Sequence, residues 1–458
     1  MDTGSRQTPF GRLAAFTLDT APEAIPARTR EFAALMMLDT LGVTIAAAPM
    51  QAGVIARETA TLLFASAEKA TQARMLFDGR AVGLAGAAYA AATQTDNLDA
   101  HDGYNPTKGH IGVVAVPALA ALAEHAPGLS GQQALAALVI CYEVAGRAGM
   151  ALHGTVSDYH TSGAWNALGV AAMAARLRGH SPEQLRQALG IAEYHGPRSQ
   201  MMREIANPTM LHDGSGWGAL TGLSAAILAE RGFTGAPAIT VEGDAVAAYW
   251  QDLGRFWQMD HQYVKPYPIC RWAHAAIDAV RQVMAEHDLP PERIRAVRIA
   301  SFHQAVCLFP GLPDTTSQAQ YSLPFAVAVQ IVHGRIGVEH ISGDGLRDAR
   351  VAEMIRRITV SESPRHNWRF PEGRWADVVI ETTDGQELAS GDVHARGGPE
   401  APMERDEVIG KYIDFAAPVL GATRAGAIRD ATLRLVQPGS RFEDLAELIY
   451  APSAPASG

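Results

Sequence analysis

The feature that most constrains the fold of this chain is a change of sequence pattern that occurs near Lys265. From Thr29 to about Glu230, apolar residues recur at helical spacing, and the ends of the segments carry Gly, Pro or Ser/Thr. The predicted helices span 31–48, 80–94, 114–124, 131–151, 163–178 and 182–192. Ser130 and Ser181, each followed three positions later by glutamine, predict capping boxes at two of the helix starts.

The part of the chain after Lys265 mixes helix and strand patterns. One helix is predicted at 274–287, strands at 294–302, 358–360 and 376–382, and a hairpin turn at Asp384-Gly385. Helical spacing returns near Met403, at 414–420 and 426–433. The predicted fold is therefore mainly α with an α+β part, and 458 residues favour two domains. We expect a large all-helical domain, 1–264 with 404–458, and a smaller α/β domain, 265–403, inserted before the C-terminal helices.

Charge and composition argue against several classes of partner. A formal net charge of -10 and a pI near 5.9 do not suit a general nucleic-acid binder, so we expect no nucleic acid. Residues 1–12 lack the apolar core of a secretory signal, and apolar stretches such as 81–92 are shorter than the roughly 20 residues that span a bilayer. We therefore expect no membrane anchor. Three widely spaced cysteines, Cys141, Cys270 and Cys307, indicate a reducing cytoplasm.

The densest polar stretch, residues 95–110, follows an apolar helix. Asp96, Asp99 and Asp102 lie three apart, so on a helix they would share one face and repel each other. Such crowding raises pKa values, and general acids and bases need raised pKa values. The alternative is a solvated helix end that is closed by Gly103.

The same stretch contains residues of the types that bind metals, namely Asp99, His101, Asp102 and His110. Their spacing matches no recognised metal motif, so we expect no metal there. Three scattered cysteines also argue against an iron–sulfur cluster. The chemistry is therefore expected to depend on side chains, without a cofactor.

Two further segments contain candidate binding residues in the helical part. His160 precedes a helix of small residues whose first amides could face an anion, although a lone histidine is more often structural. Arg203 and His212 place a cation and a histidine beside glycines that let the backbone approach a ligand. The alternative for this second segment is a tight loop packed on Trp217.

The junction between the two patterns carries cations in a stiff segment. Lys265 and Arg271 could neutralise the carboxylates of a substrate, with arginine acting in bidentate fashion. A solvated linker with two surface cations is the alternative. Cys270 could be a nucleophile, but a lone cysteine is more often a small apolar filler.

Together these segments resemble the MmgE/PrpD family, which includes 2-methylcitrate dehydratase, cis-aconitate decarboxylase and iminodisuccinate epimerase. The motifs that carry the resemblance are Asn97-Leu-Asp-Ala-His-Asp-Gly with His110, His160-Thr-Ser-Gly-Ala, Gly216-Trp-Gly-Ala with Gly232-Phe-Thr-Gly-Ala-Pro, Lys265-Pro-Tyr-Pro-Ile-Cys and Ala319-Gln-Tyr-Ser-Leu-Pro-Phe. The resemblance implies a helical domain completed by the C-terminal helices, a smaller α/β lid domain and a homodimer.

The resemblance also implies site residues. Asp99 falls at the family's active-site aspartate, His110 and His160 at its two active-site histidines, and Lys265 at a hinge lysine that faces the substrate. These four are the predicted catalytic residues. The predicted substrate-binding residues are His101, Asp102, Arg203, His212, Cys270, Arg271 and Tyr321.

Departures from the family pattern bear on the substrate. Many members have lysine where this chain has His212, which exchanges a permanent cation for a group that titrates near neutrality. Cys270 and Phe325 stand where cis-aconitate decarboxylases place histidine and tyrosine, so production of itaconate is disfavoured.

The predicted function is that of a cytoplasmic hydro-lyase, which removes a proton next to a carboxylate of a small hydroxy-polycarboxylate such as 2-methylcitrate. The base and the acid are drawn from His110, His160 and Asp99, and the sequence does not decide between them. The alternatives are an epimerase, racemase or decarboxylase of a related acid, and a non-catalytic dimer that binds polycarboxylates.

Overall fold

A computed structural model describes residues 8–453 of the chain. The helices are α1 Pro9–Asp19, α2 Ala27–Ala47, α3 Gln51–Leu63, α4 Leu84–Asp96, α5 Gly112–Ala123, α6 Gly131–His153, α7 Gly163–Leu177, α8 Pro182–His195, α9 Met201–Ala206, α10 Ser215–Glu230, α11 Ile239–Glu242, α12 His274–Glu286, α13 His303–Val306, α14 Thr316–Gln320, α15 Leu323–His333, α16 Ala349–Ile355, α17 Pro364–Trp368, α18 Arg405–Leu420, α19 Ala422–Arg434 and α20 Glu443–Tyr450. The strands are β1 Gln72–Arg74, β2 Ala81–Gly83, β3 Ile294–Ser301, β4 Ile358–Glu362, β5 Trp375–Thr382, β6 Glu387–Ala389 and β7 Val393–His394. The predicted fold class, mainly α with an α+β part, is confirmed.

The described residues form two compact units. The helical unit contains residues 8–201, 212–262 and 404–453, and the sheet unit contains residues 202–211 and 263–403. The segment around Arg203, which the sequence analysis assigned to the helical domain, is grouped with the sheet unit. The predicted domain boundaries stay a prediction.

Small residues set the packing of the helical unit. Helix α7 contacts α6, α8 and α10, and α10 also contacts α4. A Cβ on Gly216 would lie 1.9 Å from Thr93 Oγ1, and one on Gly222 would lie 2.5 Å from the carbonyl oxygen of Ala167. Glycine at these positions therefore lets α10 approach both neighbouring helices closely.

The two capping boxes predicted at helix starts are confirmed, and the helix start predicted at residue 80 is wrong. Ser130 and Ser181 each form a capping box at the start of α6 and α8. The helix predicted from residue 80 begins only at Leu84, because residues 81–83 pair with β1 as an antiparallel strand. Trp217, on which the alternative of a tight loop was based, lies in the first turn of α10.

The sheet unit is built on a sheet with the strand order β4-β3-β5-β6, in which β7 also pairs with β5. Strand β3 runs parallel to β4 and antiparallel to β5, and β5 turns back into β6 near Gly385 as the sequence predicts. Buried and partly exposed residues alternate along β5. Helix α12 packs against β5, and α15 packs against α12 and α16.

Helix α6 is long and apolar enough to cross a membrane by length and composition, and 94% of its apolar window is buried inside the protein. The bent pair of α2 and α3, at 90° to each other, passes the same test as a pair. The prediction that the longest apolar stretches are shorter than a membrane span is wrong for α6, which has 23 residues. Burial in the helical unit accounts for its apolar composition. The lack of a signal was inferred from residues 1–12, of which 1–7 lie outside the described residues.

Candidate active site

The turn that follows α4 carries most of the predicted site residues of the helical unit. Helix α4 ends at Asp96, so Asp99 and Asp102 do not share a helix face with it, and this prediction is wrong. Both aspartates are nevertheless buried, as are His101 and His110. The Nζ of Lys411 in α18 donates a hydrogen bond of 2.7 Å to the carbonyl oxygen of Ala100, so a C-terminal helix holds this turn in place.

Both ring nitrogens of His110 contact other groups of the helical unit. Nδ1 lies 2.6 Å from the carbonyl oxygen of Asp102, and Nε2 lies 3.1 Å from Oδ2 of Asp213. The backbone N–H of His110 donates to Oγ of Ser162 at 2.9 Å. The His101 ring meets the His110 ring edge-on, with 4.5 Å between their centroids. The structure therefore brings His101, Asp102 and His110 into one buried cluster.

Asp213 is held in place by backbone groups at the start of α7. Its Oδ1 accepts a hydrogen bond of 3.1 Å from the Ser162 N–H, and its carbonyl oxygen accepts one of 3.0 Å from the Gly163 N–H. Burial alone would raise the pKa of Asp213, but the charge and hydrogen bond of His110 outweigh burial and lower it. Asp213 is thus stabilised as a carboxylate.

Asp96 and Asp102 differ from Asp213 in the direction of their pKa shifts. Burial, and then the negative charge of Asp213, raise the pKa of Asp96 above its ordinary value. Burial raises the pKa of Asp102 to about 6, although the charge of His110 opposes the shift. The cluster therefore contains buried carboxyl groups that favour opposite protonation states, as acid–base sites often do.

His160 stands two residues before Ser162 in the sequence, and its contacts differ from those of His110. Its backbone N–H donates to Nε2 of His153 at 3.2 Å, and its side chain is partly exposed. No hydrogen bond to Nδ1 of His160 is formed by any of residues 8–453. Burial lowers the pKa of His153 to about 4, which keeps that ring neutral and able to accept the hydrogen bond.

His212 occupies a left-handed backbone conformation with a φ of 44°, just before Asp213. Few residues other than glycine adopt this region, and such strain is most often found at functional positions. The side chain of His212 is buried. The neighbouring Gly214 also has a positive φ, of 68°, so the turn needs two left-handed residues to position Asp213.

The sheet unit buries the two predicted cations of the junction. Lys265 is fully buried, and Arg271 is 3% exposed. The guanidinium of Arg271 donates to the carbonyl oxygen of Ala395 at 2.9 Å and to that of Arg396, and it stacks on Tyr263 with 4.4 Å to the ring centroid. Burial lowers the pKa of Arg271 to about 10. Arg271 is thus tied to the backbone of its own unit.

The other predicted residues of the sheet unit do not form one group. The backbone N–H of Cys270 donates to the carbonyl oxygen of Gln320 at 2.8 Å. The hydroxyl group of the neighbouring Tyr321 donates to Oε1 of Glu204 at 2.7 Å, and both side chains are buried. Arg203, on α9, is exposed. The structure therefore connects Cys270 with Tyr321 through the backbone, and Arg203 points to solvent.

One set of side chains in the sheet unit has metal-ligand types close together, at His366, Asp377 and Asp392. Its carboxylates already bind cations, since Arg365 lies 2.6 Å from Asp377 and 2.8 Å from Asp392. His366 Nε2 lies 2.8 Å from Oδ1 of Asp377. An arginine between the two carboxylates occupies the position that an ion would need, so the set is better explained as an ion-pair network.

Asp213, Ser162 and the contacts of Asp96 are parts of the site that the sequence does not predict. Asp213 and Ser162 both stand inside the motifs that were identified, next to His212 and two residues after His160. No local pattern indicates that either residue contacts His110, because these contacts join segments that are distant in sequence. The local feature that bears on these contacts is the left-handed turn at His212. In the sequence this turn is marked by His-Asp-Gly, which is a weak turn signal.

Comparison with known proteins gives matches over almost the whole chain. The profile of the MmgE/PrpD N-terminal domain matches residues 11–252, and that of the MmgE/PrpD C-terminal domain matches residues 267–436. The chain is 22% identical over 495 residues to a cis-aconitate decarboxylase of Aspergillus terreus, which covers 99% of this chain and 98% of the relative. It is 24% identical over 376 residues to the cis-aconitate decarboxylase-like protein oryM of Aspergillus oryzae, covering 71% and 74%. Because the N-terminal profile alone spans more than half of the chain, this protein is an enzyme of the MmgE/PrpD family.

Proposed function

We propose that this enzyme is a cofactor-independent hydro-lyase that acts on a small hydroxy-polycarboxylate of the 2-methylcitrate type. The observation that carries the proposal is the buried cluster of Asp96, Asp102, His110 and Asp213 in the helical unit. Buried titratable groups with opposed pKa shifts are typical of sites that transfer protons. Family membership supports a lyase-type reaction at a carboxylic acid.

The proposed reaction begins with the removal of a proton from the carbon next to a substrate carboxylate. His160 is the proposed base, because the residue is partly exposed and its buried Nδ1 has no hydrogen-bond partner among residues 8–453. The electron pair of the broken C–H bond forms the new C=C bond while the C–O bond of the hydroxyl group breaks. The departing oxygen takes up a proton, for which Asp99 is the proposed donor, and leaves as water. Lys265 is the proposed cation for the substrate carboxylate.

Decarboxylation of a related acid is a second candidate function. The two relatives described above are named as a cis-aconitate decarboxylase and a cis-aconitate decarboxylase-like protein, which favours this reaction. Cys270 and Phe325 count against it, since they replace the histidine and tyrosine that the resemblance associates with that activity. Epimerisation needs the same carbanion without a leaving group, and a non-catalytic binding protein would need only the carboxylate contacts.

Proton NMR in deuterated buffer distinguishes these reactions when the enzyme is incubated separately with citrate, 2-methylcitrate, cis-aconitate, malate, tartrate and iminodisuccinate. A new vinyl signal from a hydroxy acid is the result expected for the hydro-lyase. Loss of a carboxyl carbon from cis-aconitate would indicate the decarboxylase instead, and exchange of a methine proton without net conversion would indicate an epimerase.

Variants connect the signal with the proposed base. His160→Gln should abolish conversion, and the matched variant His195→Gln, at an exposed histidine at the end of α8, should leave it unchanged. Binding of an acid in a thermal-shift titration without conversion or exchange would overturn the catalytic proposal.

We also propose that the enzyme is a cytoplasmic homodimer. Large apolar side chains are exposed on the helical unit, among them Leu62 and Leu63 at 80% and 61% and Trp217 at 52%. Trp217 lies edge-on to Tyr89, with 5.3 Å between the ring centroids. Exposed apolar side chains of this size favour burial against a second copy. Light scattering after size-exclusion chromatography should give twice the chain mass, and a monomer would contradict the proposal.

A further inference from the structure

The hydrogen-bond partners of His110 determine where its protons are. The carbonyl oxygen of Asp102 can only accept a hydrogen bond, so Nδ1, at 2.6 Å, must carry a hydrogen. Nε2 faces Oδ2 of Asp213 at 3.1 Å, and two lone pairs cannot face each other at this distance. A second proton therefore lies between Nε2 and the carboxylate.

That second proton belongs to the histidine and not to the carboxylate. Oδ1 of Asp213 accepts the Ser162 N–H, which favours the charged form of the aspartate. The direction of the Asp213 pKa shift agrees, since it is lowered despite burial. These contacts favour an imidazolium at His110 with both N–H groups directed at protein atoms, a state in which neither nitrogen has a lone pair for a substrate proton.

We propose that Asp213 is a positioning residue that keeps His110 doubly protonated, so that His110 acts in the reaction as a fixed cation and leaves proton transfer to His160. This inference rests on the proposed lyase function for the role of the charge, but the protonation state of His110 can be measured without a substrate. It divides the tasks of the two predicted active-site histidines, which the sequence leaves open.

The surroundings of His110 are consistent with a fixed position. The groups that face it are Asp102, Asp96 and Asp213, which are acidic, and the ring of His101. Nδ2 of Asn166 donates to the carbonyl oxygen of His110 at 3.4 Å. The carboxylate of Asp213 favours the imidazolium, because the nearest opposite charge stabilises the protonated form, whereas burial favours the neutral form of Asp96.

Close packing leaves His110 and Asp213 little room to move. A Cβ on Gly109 would lie 2.3 Å from Oγ of Ser162, so glycine is required for the hydroxyl to reach the His110 N–H. A Cβ on Gly163 would lie 2.5 Å from the carbonyl oxygen of Gly214, next to Asp213. The pair is therefore set in a backbone arrangement that tolerates no larger residues at these two positions.

The test is nitrogen NMR of the full-length enzyme with ¹⁵N-labelled histidine at neutral pH, in which the His110 signals are assigned by their loss in His110→Gln. We expect both ring nitrogens of His110 to carry protons in the natural enzyme. In Asp213→Asn the amide can donate to Nε2, so we expect the neutral form with a proton on Nδ1 alone. Asp213→Glu should retain the imidazolium, and Ser162→Ala, which keeps the carboxylate, is the matched control and should retain it too.

The NMR results test the protonation state of His110, and the activity measurements test the proposed function, so the two can fail independently. A neutral His110 ring in the natural enzyme would overturn the inference, whether or not Asp213→Asn folds. An unchanged imidazolium in folded Asp213→Asn would overturn the role of Asp213. If the reaction occurs, Asp213→Asn should lower kcat by about 100-fold or more with a smaller change in KM, and Asp213→Glu should partly restore it. Lack of any reaction in the natural enzyme would count against the proposed function alone.

Discussion

Oδ2 of Asp96, the last residue of α4, accepts a hydrogen bond of 3.0 Å from the backbone N–H of Ser215, the first residue of α10. The same carboxyl group lies 3.6 Å, at Oδ1, from Nε2 of His101. An acceptor at the start of α10 satisfies an N–H that has no partner within that helix. One side chain thus connects a helix start with the buried cluster.

Substitution of Asp96 should change how stability depends on pH. Burial, and then the charge of Asp213, raise the pKa of Asp96, so the folded state binds this proton more tightly than the unfolded chain. The stabilisation is complete below the unfolded pKa and is lost as pH rises through the folded pKa. Asp96→Asn keeps an oxygen for the Ser215 N–H and removes the charge.

The free energy of unfolding of Asp96→Asn, relative to the natural enzyme, should therefore increase between about pH 4 and about pH 8, by about 1.4 kcal/mol for each pKa unit of the shift. Urea unfolding of both proteins at a series of pH values measures this difference in the free energy of unfolding. Asp244→Asn, at an exposed aspartate, should show no such trend. A difference that stays constant with pH would contradict the raised pKa of Asp96.

Gly112, the first residue of α5, should tolerate no side chain. A Cβ there would lie 2.2 Å from Oδ1 of Asp102 and 2.4 Å from the Tyr142 hydroxyl oxygen. Gly112→Ala should therefore lower the free energy of unfolding by about 3 kcal/mol, because the buried carboxyl and hydroxyl groups must shift from their present positions. Gly426→Ala is the matched control in α19, where a Cβ meets no atom of residues 8–453 within 4 Å, and should raise stability by about 0.5–1 kcal/mol. Thermal unfolding of both variants compares them directly.

Arg271 should prove more important for the stability of the sheet unit than the sequence indicates. Its guanidinium donates to the carbonyl oxygens of Ala395 and Arg396, which would lose these partners in Arg271→Ala. We expect a loss of about 3 kcal/mol in the free energy of unfolding, measured by denaturant titration. Arg281→Ala, at an exposed arginine on α12, is the control and should change it little. Full stability of Arg271→Ala would show that its backbone contacts contribute nothing.

The sequence predicted the helices best where apolar spacing and caps agree, as in α6 and α8. It did not predict α10, because Gly216 and Gly222, which provide the space for helix contact, give no helix signal of their own. At the candidate site it identified His110 and Asp102 by type and motif. It could not identify Asp213 as a partner of His110, because the contact depends on the left-handed turn at His212 and on helix packing rather than on local spacing.

Lys265 should be needed for activity beyond its effect on folding. It is fully buried, and a methionine of similar length keeps the packing of its stem while removing the ammonium group, so we expect a loss of stability no larger than the roughly 3–5 kcal/mol of a broken buried pair. If its charge binds a substrate carboxylate, Lys265→Met should lower kcat/KM by about 100-fold or more. The NMR assay on the accepted acid gives kcat/KM, and thermal unfolding gives stability. Arg271→Ala should show the opposite pattern, in which the loss in the free energy of unfolding is larger than the loss in kcat/KM. If Lys265→Met converts the substrate at an undiminished rate, Lys265 does not belong to the site. If the variant is unfolded, Lys265 is a structural residue of the sheet unit.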